Sequence, residues 1–403
     1  MTPIYFDLGI NGTLIAAVLV LLTGRFLQHK IAILEKFFIP APVIGGVIFS
    51  IIITILAEVN ILHLTFHNNL QTLLMIAFFA TVGFSAGIKF LIKGGKAVVL
   101  FLILATVLVI FQNVLGISLA NLLGQDSVFG VALSSIPMTG GHGTSAAFGP
   151  LLENDFLLNN ASTITIAAAT FGLISGSLIG GPVAKRLVKK HNLKPDKEIL
   201  EDAHIDTDHT RASKIKISET GVFSAIVVIA FAVTIGSIIT YWLNAYELVF
   251  PVYIGAMFAA AIIRNISDFS GWFEIKDNEI HMIGEICLSL FLSMALMRMN
   301  LVSLLDLALP IFIILIAQVL LVILFTYFIT FRVMGKDYDA AVMACGQCGF
   351  ALGATPNAMA NMEAFTAKNF PSPKSFFVIP IVGSLFIDFV NSGVITGTLN
   401  FLQ

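Results

Sequence analysis

Val128-Phe-Gly-Val-Ala-Leu-Ser-Ser-Ile-Pro137-Met-Thr-Gly140-Gly-His-Gly-Thr-Ser-Ala-Ala-Phe-Gly149 is long and apolar enough to cross a bilayer once, and whether it does so decides the fold. A crossing helix needs about 20 mainly apolar residues. This stretch is interrupted at Pro137 and again at Gly140-Gly-His-Gly143, with hydroxyls where a lipid-facing helix carries leucine. Broken backbone at membrane depth is tolerated only where protein or a water-filled cavity surrounds it, so the alternative is a re-entrant hairpin. Ala340–Asn361 poses the same choice, breaking across Gly346-Gln-Cys-Gly349 and at Gly353-Ala-Thr-Pro356.

The surrounding chain supplies the context. Of 403 residues only 46 are charged (22 basic, 24 acidic), 57% are hydrophobic and 35 are Phe. A soluble domain is about a quarter charged and about 45–50% apolar, so a water-soluble enzyme is excluded. No basic patch points to nucleic acid, and 3 cysteines build no disulfide framework. Besides the two broken stretches, ten read as spans: Leu8–Gln28, Val43–Leu62, Leu70–Ile88, Ala97–Leu123, Ala161–Leu187, Thr220–Leu243, Leu248–Ile266, Ile280–Asn300, Leu307–Thr330 and Phe376–Phe401. The first lacks a basic flank and a cleavage site, so it reads as a retained helix. Val188–Ile217 concentrates 13 of the 46 charges and reads as a solvated linker between halves 1–187 and 218–403.

Charge sidedness resolves the hairpins. With the N-terminus outside and hairpins at about 128–149 and 340–361, 21 of 22 basic residues fall on the cytoplasmic side, leaving Arg298 outside. A single crossing by the first stretch would move nine of them, Lys185 to Lys216, outward, against the positive-inside rule. The expected fold is an all-α integral membrane protein of ten transmembrane helices. They form two inverted five-helix repeats, each with a re-entrant hairpin, with both termini outside and the linker cytoplasmic. Such repeats belong to secondary transporters, whose sites lie near the midplane where broken helices meet.

The tips are therefore the candidate site. Thr139, Gly140, Gly141, His142, Gly143, Thr144 and Ser145 form the first, with Thr144 fitting an N-cap. Gly349, Gly353, Thr355, Asn357 and Asn361 mark the second, with Thr355 as N-cap and Pro356 at the first helical position. Helix N-termini favour anions, while loop carbonyls and hydroxyls hold cations. Asp388, mid-span in the last helix, costs about 2.5–3.5 kcal/mol to insert, so it should face a cavity, a cation or a partner. Asn391 follows nearly one turn on. These assign Thr139–Ser145, Gly353, Thr355, Asn357 and Asp388 to substrate, and Gly349, Thr355, Asn361, Asp388 and Asn391 to a cation.

His142 has no second ligand nearby, so it reads as a structural or cavity-lining histidine rather than a metal ligand. Other polar residues read as structural: Cys345-x-x-Cys348 fits small-residue packing, and Gln112-Asn113 fits an interhelical clamp. Glu285 lies close enough to a helix end to reach the interface. No Arg or Lys falls near a span centre, which favours a monocarboxylate-like or zwitterionic substrate over a tricarboxylate. No G-x-S-x-G, H-E-x-x-H or P-loop pattern supports a membrane-embedded enzyme.

Four segments carry a resemblance. Leu74-Met-Ile-Ala-Phe-Phe-Ala-Thr-Val-Gly83, Gly140-Gly-His-Gly-Thr-Ser-Ala-Ala147, Met334-Gly-Lys-Asp-Tyr-Asp-Ala-Ala341 and Cys348-Gly-Phe-Ala-Leu-Gly-Ala-Thr-Pro-Asn-Ala-Met-Ala-Asn-Met362 resemble the bacterial sodium/glutamate symporter family. Gln347, Ala351 and Ser145 stand where that family commonly has His, Gly and Gly. The resemblance implies sodium-coupled import of L-glutamate across the bacterial cytoplasmic (inner) membrane, with Na⁺ as coupling ion and no organic cofactor. It also implies a dimerising scaffold, a mobile elevator-type core bearing the hairpins, and a fold related to sodium/citrate carriers. The alternative within this class is a symporter of another small carboxylate, such as a 2-hydroxycarboxylate.

Overall fold

The computed structural model describes residues 4–194, 217–245, 251–299 and 307–403. Most of the linker expected at Val188–Ile217, and the start of the span expected at Leu248, lie outside the described residues.

Helices dominate: α1 (Gly9–Lys30), α2 (Ala41–Glu58), α3 (Asn69–Ser85), α4 (Ile88–Leu122), α5 (Ser127–Ala132), α6 (Gly141–Asn154) and α7 (Ala161–His191) precede the linker. After it come α8 (Glu219–Asn244), α9 (Val252–Ser270), α10 (Asp277–Leu296), α11 (Ala308–Phe325), α12 (Tyr338–Phe350), α13 (Thr355–Thr366), α14 (Pro373–Pro380) and α15 (Ile387–Leu402). A π-helical turn, Thr326–Thr330, prolongs α11, and another, Ile381–Phe386, joins α14 to α15. Among the described residues nine helical segments are long and apolar enough to span a membrane; the tenth expected span, α3, is apolar and 17 residues long. The chain is a multi-pass membrane protein.

The all-α expectation needs one correction. β1 (Ile4–Asp7) pairs in parallel with β2 (Leu62–Thr65). The sequence reading ran the second span through Leu62, but α2 ends at Glu58 and Asn60 takes a left-handed φ of 53° that turns the chain out of the helix. Beside the strands, the Gly9 N–H and then His67 hold the Asp7 carboxyl below its ordinary pKa.

Both hairpins form from two helical arms. α5 ends well before Pro137, and a turn of residues 133–140 leads into α6. The break expected across Gly346–Gly349 is absent: α12 runs unbroken to Phe350 because those glycines pack rather than bend. A Cβ on Gly349 would come within 2.5 Å of the Ala358 backbone in α13. The only turn in this hairpin is at 351–354.

The same local devices recur on both sides of the linker. Pro40 and Pro251 cap α2 and α9 with nearly identical backbone angles, φ −61° with ψ 140° and 144°. Asp126 accepts the Val128 N–H at 2.7 Å to start α5, and Asp337 accepts the Ala340 N–H at 2.7 Å to start α12. α1 meets α2 through Gly24 and Gly45, where added Cβ atoms would lie 1.8 Å from the Ala41 carbonyl oxygen and 1.9 Å from that of Val20. α8 meets α9 through Gly236 and Gly255 in the same manner. Small residues let membrane helices approach backbone to backbone.

Packing divides the helices into two sets. α1, α2, α3, α8, α9 and α10 contact one another extensively; α4–α7 and α11–α15 form the other set, which holds both hairpins. Each set takes members from before and after the linker. Gly24→Val is expected to separate α1 from α2 and lower the detergent-solubilised protein's melting temperature by several degrees, or abolish monodisperse protein. Gly181→Ala, whose Cβ meets nothing within 4 Å, should be tolerated; equal melting of the two variants would contradict this packing.

Candidate functional site at the hairpin tips

The two tips touch. Gly141 has φ +60°, and a Cβ there would lie 2.5 Å from the Gly353 carbonyl oxygen, so the close approach requires glycine on both counts. That left-handed turn also corrects the expected N-cap: α6 begins at Gly141 after Gly140, and Thr144 lies inside the helix. Likewise Ala354 caps α13, placing Thr355 first and Pro356 second.

Each tip presents the start of a helix. Among the described residues, the N–H groups of His142 and Gly143 have no backbone acceptor, nor do those of Thr355 and Asn357. Four N–H groups at a helix start are orphaned by geometry, and the dipole makes that end attractive to negative charge. At Gly143 the first tip packs against the other set, where a Cβ would lie 3.4 Å from both Phe78 of α3 and Leu288 of α10.

Acceptors for a cation lie close to the same turns. Asn357 is buried; its Nδ2 donates to the Leu173 carbonyl of α7 at 2.8 Å, leaving Oδ1 buried with no partner among the described residues. Asn391 donates from Nδ2 to the Ser135 carbonyl of the first hairpin at 3.1 Å, and its Oδ1 likewise has no partner among the described residues. Asp388, one turn earlier and half-buried, has no side-chain hydrogen bond or ion pair among the described residues; only its carbonyl is engaged, by Ser392. A buried polar atom without a partner costs about 1–3 kcal/mol, so such oxygens fit a sodium ion or a substrate ammonium. Thr355 Oγ1 faces Gly383, five residues before Asp388, at 3.0 Å from where a Cβ would stand.

Other candidates are engaged by neighbouring helices. Ser145 and Thr165 exchange hydrogen bonds with each other's carbonyls at 3.1 and 3.2 Å, so the Ser145 hydroxyl is engaged within the protein. Asn361 donates to the Gly176 carbonyl at 2.9 Å, Gly349 is packed against α13, and buried His142 sits 3.0 Å from Thr170 Oγ1. Cys345 and Cys348 are free and buried, Cys348 3.4 Å from Thr326 Oγ1. Glu285 is exposed, 3.6 Å from His281 on the same helix face. Among the described residues no three His, Cys, Asp or Glu side chains converge as a metal site.

The clamp expected at Gln112-Asn113 exists and is larger than the sequence indicated. Gln112 accepts the Thr139 hydroxyl at 2.7 Å and donates to the Ala351 carbonyl at 2.9 Å. Asn113 accepts the Ser135 hydroxyl at 3.0 Å, and Gln318 of α11 donates to the Gln112 carbonyl at 2.8 Å. Gln318, Ser135 and Thr170 escaped the sequence reading. Gln318 had a visible signal, as a lone amide in the apolar run Pro310–Phe325.

The chain is similar to known proteins over most of its length. Residues 6–371 match the family described as sodium/glutamate symporter. Proteins named sodium/glutamate symporter from Escherichia coli (strain K12) and Shigella flexneri are each 41% identical over 391 residues, 97% of both chains. One of the same name from Haemophilus influenzae (strain ATCC 51907 / DSM 11121 / KW20 / Rd) is 40% identical over 385 residues, 95% of both. A match over 97% of the chain at 41% identity, with the family model covering residues 6–371, places the chain in the sodium/glutamate symporter family.

Proposed function

We propose that this protein is a sodium-coupled importer of L-glutamate in the bacterial cytoplasmic membrane, working by alternating access. The observation that carries the proposal is the contact of Gly141 with the Gly353 carbonyl, which joins two helix starts beside unpartnered amide oxygens. The N–H groups of both tips would receive the substrate carboxylates. Asn357, Asn391, Asp388 and Thr355 would hold sodium or the substrate ammonium. Sodium bound there offsets the carboxylate charge in a setting without Arg or Lys, so neither ligand binds well alone.

Ten spans in two inverted repeats are supported by the matching proline caps, aspartate caps and glycine pairs on either side of the linker. In the proposed orientation β1, β2 and Arg298, which bonds Asn68, face outward. Arg264, tied to Asp268 and Asp277, faces the cytoplasm. The hairpin-bearing set would shift as the core against the other six helices, which form the scaffold of a homodimer. If more than one Na⁺ accompanies each glutamate, net positive charge moves inward and the membrane potential contributes about 2.3 kcal/mol per charge per 100 mV.

Purified protein in liposomes should accumulate labelled glutamate under an inward sodium gradient, show counterflow of labelled substrate, and do so faster with an inside-negative potential. Failure of glutamate to move under the sodium gradient would overturn the proposal, and movement of a 2-hydroxycarboxylate instead would establish the alternative. Asp388→Asn should raise the sodium needed for half-maximal uptake by about 10- to 100-fold, the loss of one charged ligand; undiminished uptake at limiting sodium would remove Asp388 from the site.

A further inference from the structure

We infer that Gln112 is a positioning residue that ties the two hairpin tips into one unit, so that an ion or substrate held at one tip fixes the geometry of the other. The inference rests on the tips being the transport site. Gln112 is fully buried in α4, outside both hairpins. Its carboxamide uses each end on a different tip: Oε1 accepts from Thr139, and Nε2 donates to the Ala351 carbonyl. Thr139 lies two residues before Gly141, and Ala351 two residues before Gly353. The bridge therefore spans both turns at the same chain distance from the point where the tips touch.

The chemistry selects an amide here. A carboxamide offers a fixed donor and a fixed acceptor together without any change of protonation, and its planarity makes the two bonds mutually dependent. Moving one turn relative to the other must stretch or break one of them. The platform behind the bridge is itself held, since Gln318 of α11 donates to the Gln112 carbonyl. Ala351 follows the end of α12, where a carbonyl has no continuing helix to bond, so losing Gln112 would leave that carbonyl unpaired in an apolar interior. A clamp that merely held α4 in place would need only one of these contacts; contact with both tips is what couples them.

The test is the linkage between ligands in the full-length protein in liposomes. In the wild type, the glutamate KM at limiting sodium divided by that at saturating sodium measures how strongly each ligand assists the other. Gln112→Met keeps the length and removes both bonds; it should reduce that ratio about tenfold, the effect of losing a buried hydrogen bond. Thr139→Val, which keeps the shape and removes one bond, should also reduce it. In the double variant the two effects should not add, as for residues acting through one contact. A Gln112→Met carrier with the wild-type ratio and only a lower Vmax per folded molecule would overturn the inference, as would additive effects. Should Gln112→Met fail to fold, Thr139→Val decides by the same ratio. A wild type without sodium-dependent glutamate uptake would instead defeat the proposed function, a result distinguishable from either.

Discussion

Every backbone carbonyl and N–H placed inside an apolar slab must find a partner within the protein. Two helices that begin at interior turns, α6 and α13, expose such groups at those turns, and buried amides answer part of that need. Gln112 takes the Ala351 carbonyl, and Asn391 takes that of Ser135. Asn357 and Asn361 from α13 bond the carbonyls of Leu173 and Gly176 on α7. Glycine at 172, 176 and 180 lets α7 lie close enough to the second hairpin for these bonds to form; a Cβ on Gly172 would come within 2.5 Å of the Leu352 carbonyl oxygen. The same few amides thus pair carbonyls at the turns and dock α13 on α7, and among the described residues the side-chain oxygens of Asn357 and Asn391 are left without a partner.

Both helix sets use glycine against backbone, Gly24 and Gly45 between α1 and α2, and Gly172 and Gly349 around the second hairpin. The hairpin-bearing set adds directional amide bonds from Gln112, Asn357, Asn361 and Asn391. Between the sets the contacts include aromatic pairs, Phe148 with Tyr253 at 5.4 Å and Phe258 with Phe389 at 5.0 Å between ring centroids. Apolar contacts are non-directional and lose little when surfaces slide, whereas directional bonds define a rigid unit.

Much of this was legible in the sequence because it depends on local composition. Long apolar runs marked the spans, the position of Lys185 to Lys216 relative to Val128–Gly149 marked the first hairpin, and glycines with hydroxyls marked both tips. What was illegible depends on distance along the chain. Asn391 and Ser135 are 256 residues apart and Gln112 and Ala351 are 239 apart, and no periodicity announces such partners. Gly346 and Gly349 were misread because a glycine that accommodates a neighbouring helix looks the same in sequence as one that bends the chain. Thr144 and Thr355 carry good capping chemistry, but the positive φ at Gly141 and the extended Ala354 moved both helix starts upstream. β1 and β2 were missed because four-residue strands are too short to show alternation against long apolar helices.

The small sheet acts as a topological ruler. Parallel pairing requires β1 and β2 to run in the same direction, with Ile4 beside Leu62 and Asp7 beside Thr65. Each strand leads almost directly into a long helix, β1 into α1 and β2 into α3, so those helices start from one face of the molecule. Having left that face through α1, the chain must come back to it before Leu62, and α2 is the helix that brings it back. Four backbone pairings thus fix the relative sense of the first three spans from outside the hydrocarbon, independently of where any charged residue lies.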